Sequence, residues 1–261
     1  MNATIAAQMT GADFLKLRRK RGTLIWALVL ALGPVLIYFL VAAIQHSSNP
    51  VKYGPAGGTH NFADGLRVVA LFFGPLAAIL IGVEAGTGDA SAGVFRDLVV
   101  TGRSRIALFA SRVPAALAMC WIVMFGAYVL LVLGIFVFAG NLSTPESALL
   151  LNGLGFTLLS TGTLCVVAVG LAALTTSKPG AIIALIAWQV VASPLITHIS
   201  SLGSARKAVL SQSIAHFSPV SVEGGRGETV VMSGGTALVV LLAWVLVFLA
   251  LGAWRTRTMD A

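Results

Sequence analysis

A chain of 261 residues that is 57% hydrophobic and only 10% charged, with a mean hydropathy of +0.95, is too apolar for a water-soluble enzyme or binding domain. Its net charge of +8 does not indicate nucleic acid, because most cations flank long apolar runs instead of covering one face of a polar domain. Anionic lipid headgroups are the partner that this placement suits.

A bilayer core ~30 Å thick needs about 20 apolar residues in a helix. Six runs meet that need: residues 23–44, 66–83, 107–139, 148–174, 179–199 and 232–254. They lack the polar alternation of barrel strands, and only a helix satisfies its own backbone in lipid. The expected fold is all-α integral membrane, a single transmembrane domain over residues 1–261.

In chain order, residues 9–21 read as an interfacial amphipathic helix. Thr10 and Asp13 form a capping-box-like opening, and Phe14 and Leu17 share a face. The charged LKLRRKR that follows resembles a signal-peptide n-region, but the apolar run behind it is too long for one, so the first span is expected to be retained. Residues 45–65, rich in Gly, Pro, Ser and Asn, read as irregular loop. Residues 140–147 read as a short turn. In the outer segment 200–231, Leu202, Ala205, Val209, Ile214 and Phe217 recur at helical spacing, predicting a short amphipathic helix followed by a Gly-rich turn over 223–227.

Lys and Arg are biased to one side. With the N-terminus inside, the cytoplasmic side carries Lys16, Arg18, Arg19, Lys20, Arg21, Arg96, Arg103, Arg105, Arg112, Lys178, Arg255 and Arg257, twelve of the seventeen cations. Lys52, Arg67, Arg206, Lys207 and Arg226 remain outside. Six spans then return the C-terminus to the cytoplasm.

Familiar catalytic patterns are missing. None of the five lysines follows a glycine, so there is no phosphate-binding P-loop. There is no His-Glu-x-x-His, and Ser91 has Asp89 in place of the glycine of a nucleophile elbow. His46, His60, His198 and His216 fall at or beyond the outer boundary without metal-ligand spacing. Cys120 and Cys165 lie within spans and read as small packing residues. The span cores hold almost no ionisable residue; Arg67 and Glu84 bracket span two. Uncharged polarity is concentrated in Asn152, Thr157, Ser160, Thr161 and Thr163 of span four and Gln189, Ser193 and Thr197 of span five. These residues read either as helix–helix adhesive or as the lining of a pathway, and the amides of Asn152 and Gln189 are able to bond across helices.

Between spans two and three the chain turns charged and Gly-rich: EAGTGDASAGVFRDLVVTGRSRIALFASR, residues 84–112. Here Glu84, Gly86, Thr87, Gly93, Arg96, Asp97, Leu98, Thr101, Gly102, Arg103, Ser104 and Arg105 resemble the pattern of ABC-2 type transporter permeases, with Gly102 where that family tends to have proline. The six-span layout, amphipathic leader and outer helix extend the resemblance over nearly the whole chain. It implies a coupling segment over 84–106, in which Glu84, Val94, Phe95, Arg96, Asp97, Leu98, Thr101, Gly102, Arg103 and Arg105 meet a cytoplasmic ATP-binding cassette subunit. It also implies two such subunits holding ATP and Mg, a second permease chain, no cofactor on this chain, and the inner membrane of a prokaryote as its location.

From the residues alone, 90–100 suit a short helix with Val94, Phe95 and Leu98 as apolar anchors, or equally a solvated connector whose arginines enforce topology. Three functions stay open: an exporter permease for apolar or amphipathic cargo, a non-transporting scaffold or immunity-type protein, and an intramembrane enzyme.

Overall fold

The computed structural model of the chain describes residues 3–91, Gly93, 104–220 and 230–258. The described residues are mostly helical and contain no strand, and six helices are long and apolar enough to cross a membrane.

Helix α1 (Ala3–Arg19) begins well before Thr10, which corrects the expected cap. Ala, Gln and Met upstream of Thr10 favour helix and extend it. Leu17 is buried and Phe14 packs against the core, so the expected face is the one that docks. Lys20, with φ −79° and ψ 69°, breaks the helix, and α2 (Arg21–Ser48) leaves from that elbow as span one. Only Ala27, Ala31, Val35 and Phe39 of α2 are buried, a stripe repeating every fourth residue; Trp26, Leu36 and Leu40 on other faces are exposed.

Span two starts earlier than hydropathy indicates. α3 (Thr59–Arg67) occupies residues read as loop, because Phe62 and Leu66 are wholly buried and draw that turn into the bundle. Asn61, within α3, anchors it to the preceding turn and to span one, donating to the carbonyls of Pro55 and Gly57 and accepting from the Tyr38 hydroxyl. A π-helical turn (Val68–Phe73) leads into α4 (Gly74–Ser91). Span three is α5 (Arg105–Val137), capped by the Ser104 hydroxyl, which accepts from the Ala107 amide at 3.2 Å. Span four is α6 (Ser147–Thr175), the most enclosed helix. Span five runs as α7 (Lys178–Ala187), a π turn (Trp188–Ala192) and α8 (Ser193–His198).

Both π turns end just before a proline. The Gly74 amide reaches back to the Val69 carbonyl ahead of Pro75, and the Ser193 amide to Trp188 ahead of Pro194. The wider turn gives the ring room, but continuing that ladder would ask Pro75 to donate to Ala70, and proline has no N–H. The Ser160 hydroxyl on span four donates to the Ala70 carbonyl instead, at 2.6 Å.

The outer segment forms three short helical pieces where one helix was expected. Two 3-10 turns within Ser200–Ala208 are parted at Gly203 (φ 51°, ψ −124°), and Val209 separates them from α9 (Leu210–His216). Val209, Leu210 and Ile214 are buried, whereas Leu202 is exposed, so only the second half of the expected face packs. The turn expected over 223–227 lies outside the described residues. Span six is α10 (Gly234–Thr258), tied to the outer segment by the Trp244 indole, which donates to the Ala208 carbonyl.

Span four is the axis of the bundle. A Cβ at Gly82 would lie 2.4 Å from the Cys165 carbonyl, and one at Gly86 2.6 Å from that of Val169, so this small-x-x-x-small pair lets spans two and four touch backbone to backbone. One end of the bundle gathers the elbow, the end of α4, the starts of α5 and α7 and the end of α10; Arg105 there donates to the Arg257 carbonyl. The leader helix, through Asp13 and Lys16, and the last turn of α10 belong to this end. At the other end the amides of Gly57 and Thr59 pair with the carbonyls of Phe138 and Ser143.

Candidate functional site

The ionisable residues within the spans are more numerous than hydropathy suggests, and they cluster at the end of the bundle that holds the elbow. Glu84, Asp89 and Arg112 are buried at 5%, 8% and 4% exposure. Charge at such depth persists only when paired and hydrogen-bonded.

Two linked groups satisfy it. In the first, Arg112 Nη2 donates to Asp89 Oδ2 at 2.9 Å and Nη1 to the Gly86 carbonyl at 3.3 Å, which ties span three to span two. Lys16 Nζ on α1 donates to Asp89 Oδ1 at 3.1 Å and to Asp13 Oδ1 at 3.0 Å. Asp13 Oδ2 accepts from the Ser111 hydroxyl at 2.7 Å. The leader helix is thus fastened to spans two and three by polar bonds as well as by Leu17. In the second group, Glu84 accepts from Thr23 Oγ1 at 2.9 Å and from Lys178 Nζ, with Lys20 Nζ 3.8 Å away. It joins the elbow and the starts of spans one and five to the end of span two.

Between the groups lies a cavity of about 300 Å³ lined by Asp13, Lys16, Leu17, Lys20, Glu84, Ala85, Gly88, Asp89 and Arg112. Burial opposes the charge on Lys16, but the hydrogen bond and charge of Asp13, then those of Asp89, outweigh it and raise its pKa above the ordinary lysine value. The ammonium form is therefore held throughout the neutral range. The arrangement is a mechanical junction: its carboxylates are committed to cations and hydroxyls carried by other helices, Asp13 to Ser111, Asp89 to Arg112 and Glu84 to Thr23 and Lys178.

Of the residues expected to couple, Glu84 is at this junction and Arg105 lies beside it, bonded to Arg257. Val94, Phe95, Arg96, Asp97, Leu98, Thr101, Gly102 and Arg103 lie outside the described residues. From the sequence Asp13 reads as part of a cap, Asp89 as part of the connecting segment, Lys16, Arg112 and Lys178 as topology residues and Ser111 only as a residue of span three; the structure brings all of them into the junction. The signal for one was present: Arg112 sits five residues inside the apolar run 107–139, where a charge needs a reason.

The uncharged polar residues divide. Thr157, Ser160 and Thr161 are buried and donate to the carbonyls of Gly153, Ala70 and Thr157. Ser193 is buried and pairs with the Ser211 hydroxyl on α9. Asn152 is exposed and Gln189 half-buried on the single chain, and the expected bonds of their amides across helices are not formed among the described residues. Cys120 and Cys165 are both buried free thiols. Among the described residues no three His, Cys, Asp or Glu side chains come together as a metal site.

No curated protein matches the chain. A family model described as ABC-2 family transporter protein matches residues 11–193, more than two thirds of the sequence and every residue of the junction. A chain with that match and six membrane-crossing helices belongs to the ABC-2 transporter family, as a multi-pass membrane permease that contains no P-loop of its own.

Proposed function

We propose that the chain is the permease subunit of an ATP-driven exporter, coupled to a separate cytoplasmic ATPase through residues 84–106. The supporting observation is the junction: Asp89, early in that segment, and Arg112, just beyond its end, clamp spans two and three together, and Asp13 and Lys16 bind the leader helix to the same clamp. A segment joined at both ends to one rigid unit is suited to pass displacement into the bundle. The ATPase, in two copies, would hold ATP and Mg, and a second permease chain would complete the pathway. Both termini face the cytoplasm on this reading, consistent with the cations at their end of the bundle and with the inner membrane of a prokaryote.

Asn152, exposed, and Gln189, half-buried on the single chain, are the residues we assign to the pathway or to the second permease. A lining without fixed charge suits apolar or amphipathic cargo such as drugs, lipids or peptides, carried outward. The test is co-purification from mild detergent, followed by cargo-stimulated ATP hydrolysis in the reconstituted complex. A stoichiometric ATPase partner and loss of coupling in Phe95→Ala/Leu98→Ala are expected, whereas Arg103→Ala should have a modest effect. Wild-type coupling in the double variant would make the segment a topological connector and remove the proposed mechanism.

A further inference from the structure

At the elbow, sharing Lys20 and Glu84 with the cavity between the two charge groups, lies an open hollow of about 650 Å³. Its polar rim is Arg19, Lys20, Arg21 and Lys178, and its apolar floor is Trp26 and Leu80. The four cations have one carboxylate among them. Glu84 is turned inward and engages Lys178 and Lys20. Arg19 and Arg21 have no acidic partner among the described residues, yet both line the hollow and are exposed. Nor does an acidic residue enter the first turn of α2. An unbalanced positive hollow of this kind attracts a phosphate ester.

Its position selects the source of that phosphate. Arg21 and Trp26 are separated by little more than one helical turn, so with this end of the bundle at a membrane surface the hollow would span the boundary between headgroups and acyl chains. Trp26 is 64% exposed and Leu80 partly so, which leaves the floor open sideways to lipid. A soluble phosphate compound would leave that floor bare. A phospholipid would cover it with an acyl chain while its phosphate met the guanidinium groups. Choline or ethanolamine would bring a further cation against four, which disfavours zwitterionic headgroups.

We propose that the hollow is a binding site for one anionic phospholipid, its phosphate held by Arg19 and Arg21 and its proximal chain lying on Trp26 and Leu80. The site requires only that this end of the bundle lies at a membrane surface, and it stands apart from the transport reading. Because Glu84 joins the hollow to the junction, the lipid would steady the elbow from which the leader helix departs.

The experiment is native mass spectrometry of the full chain released from neutral detergent with added phosphatidylglycerol. Each surface cation contributes about fivefold to anionic-lipid binding, so Arg19→Gln/Arg21→Gln should retain the lipid roughly 30-fold less. Arg255→Gln/Arg257→Gln removes equal charge from the same end and should retain it as wild type does. Equal losses in the two variants, or none in the first, would overturn the site. So would equal retention of phosphatidylcholine, or displacement of the lipid by glycerol 3-phosphate at matched concentration, which would identify a soluble phosphate as the occupant. Should the first variant fail to fold, the unaltered chain decides: photoactivatable phosphatidylglycerol is expected to label residues near Trp26 and Leu80, and labelling spread evenly around the bundle would refute the proposal.

Discussion

Asp89→Asn isolates the energetics of the junction, because it keeps the shape of the side chain and removes its charge. Its partner Arg112 is 5% exposed at the side chain and Asp89 is 10% exposed, so the guanidinium would remain in a poorly solvated site with an amide in place of a carboxylate. Stranding a buried partner in this way costs about 3–5 kcal/mol, and the amide oxygen, still able to accept one bond, places this case near the lower figure. The Lys16–Asp89 contact adds little, since Lys16 is 47% exposed and pairs of that kind contribute about 0–1 kcal/mol. Adding Arg112→Met removes the stranded charge, and the loss should then fall below about 1.5 kcal/mol as apolar atoms refill the site. Two variants together less damaging than one is the signature sought. Reversible unfolding by SDS titration in mixed micelles, followed by tryptophan fluorescence, measures all three proteins. If Asp89→Asn lies within about 1 kcal/mol of wild type, the pair behaves as a solvated surface pair and the low-dielectric reasoning is wrong.

Ser160→Ala should cost about 1–3 kcal/mol in the same assay by stranding the Ala70 carbonyl. Pro75→Ala, which restores a backbone donor, should shrink that loss; an unchanged loss would show that Ser160 acts through something else. Gly86→Val places side-chain atoms where a Cβ already meets the Val169 carbonyl at 2.6 Å, and should abolish monodisperse protein by size-exclusion chromatography, while Gly126→Ala, with open space around it, should be tolerated. Single cysteines at Ser104 and Thr258 should react only with cytoplasmic label and one at Lys52 only with external label; the reverse pattern would invert the proposed orientation.

Much of the fold was legible because lipid imposes one dominant signal. A helix crossing hydrocarbon must be apolar over its length, so all six spans emerge from hydropathy within several residues of their structural ends. Where the signal fails, the cause is local packing. Residues 59–65 look like loop because Thr59, His60, Asn61, Asp64 and Gly65 outweigh Phe62, yet burial of Phe62 and Leu66 makes them helix. Thr10 looks like a cap because a hydroxyl preceding an acid by three residues is often one, but Asp13 is committed to Lys16 and Ser111. Ser160 belongs to a threonine- and serine-rich stripe whose purpose is ambiguous until the proline it serves is seen on another span. The junction was the least legible part. Its bonds join residues 73, 94 and 98 positions apart, and no local periodicity encodes such a pairing.

The same long-range pairing gives the junction its mechanical meaning. Asp89 lies near the start of the segment proposed to meet the ATPase, and Arg112 follows its end, so their bond ties the two ends of that segment together. Without the bond, a force on the segment would be dissipated in two independent helix ends; with it, spans two and three respond as one body. Gly82 and Gly86 then set span two directly on the backbone of span four, which leaves little compliance between the clamp and the axis of the bundle. Glu84 extends the unit to spans one and five through Thr23 and Lys178. Five helices, counting the leader and spans one, two, three and five, therefore meet within two adjoining groups of charges at the end where the segment emerges. On the proposed reading, a displacement delivered there by the partner reaches the bundle through ion pairs and backbone contacts, and the long apolar faces of spans one, five and six remain free to slide against lipid or a second chain.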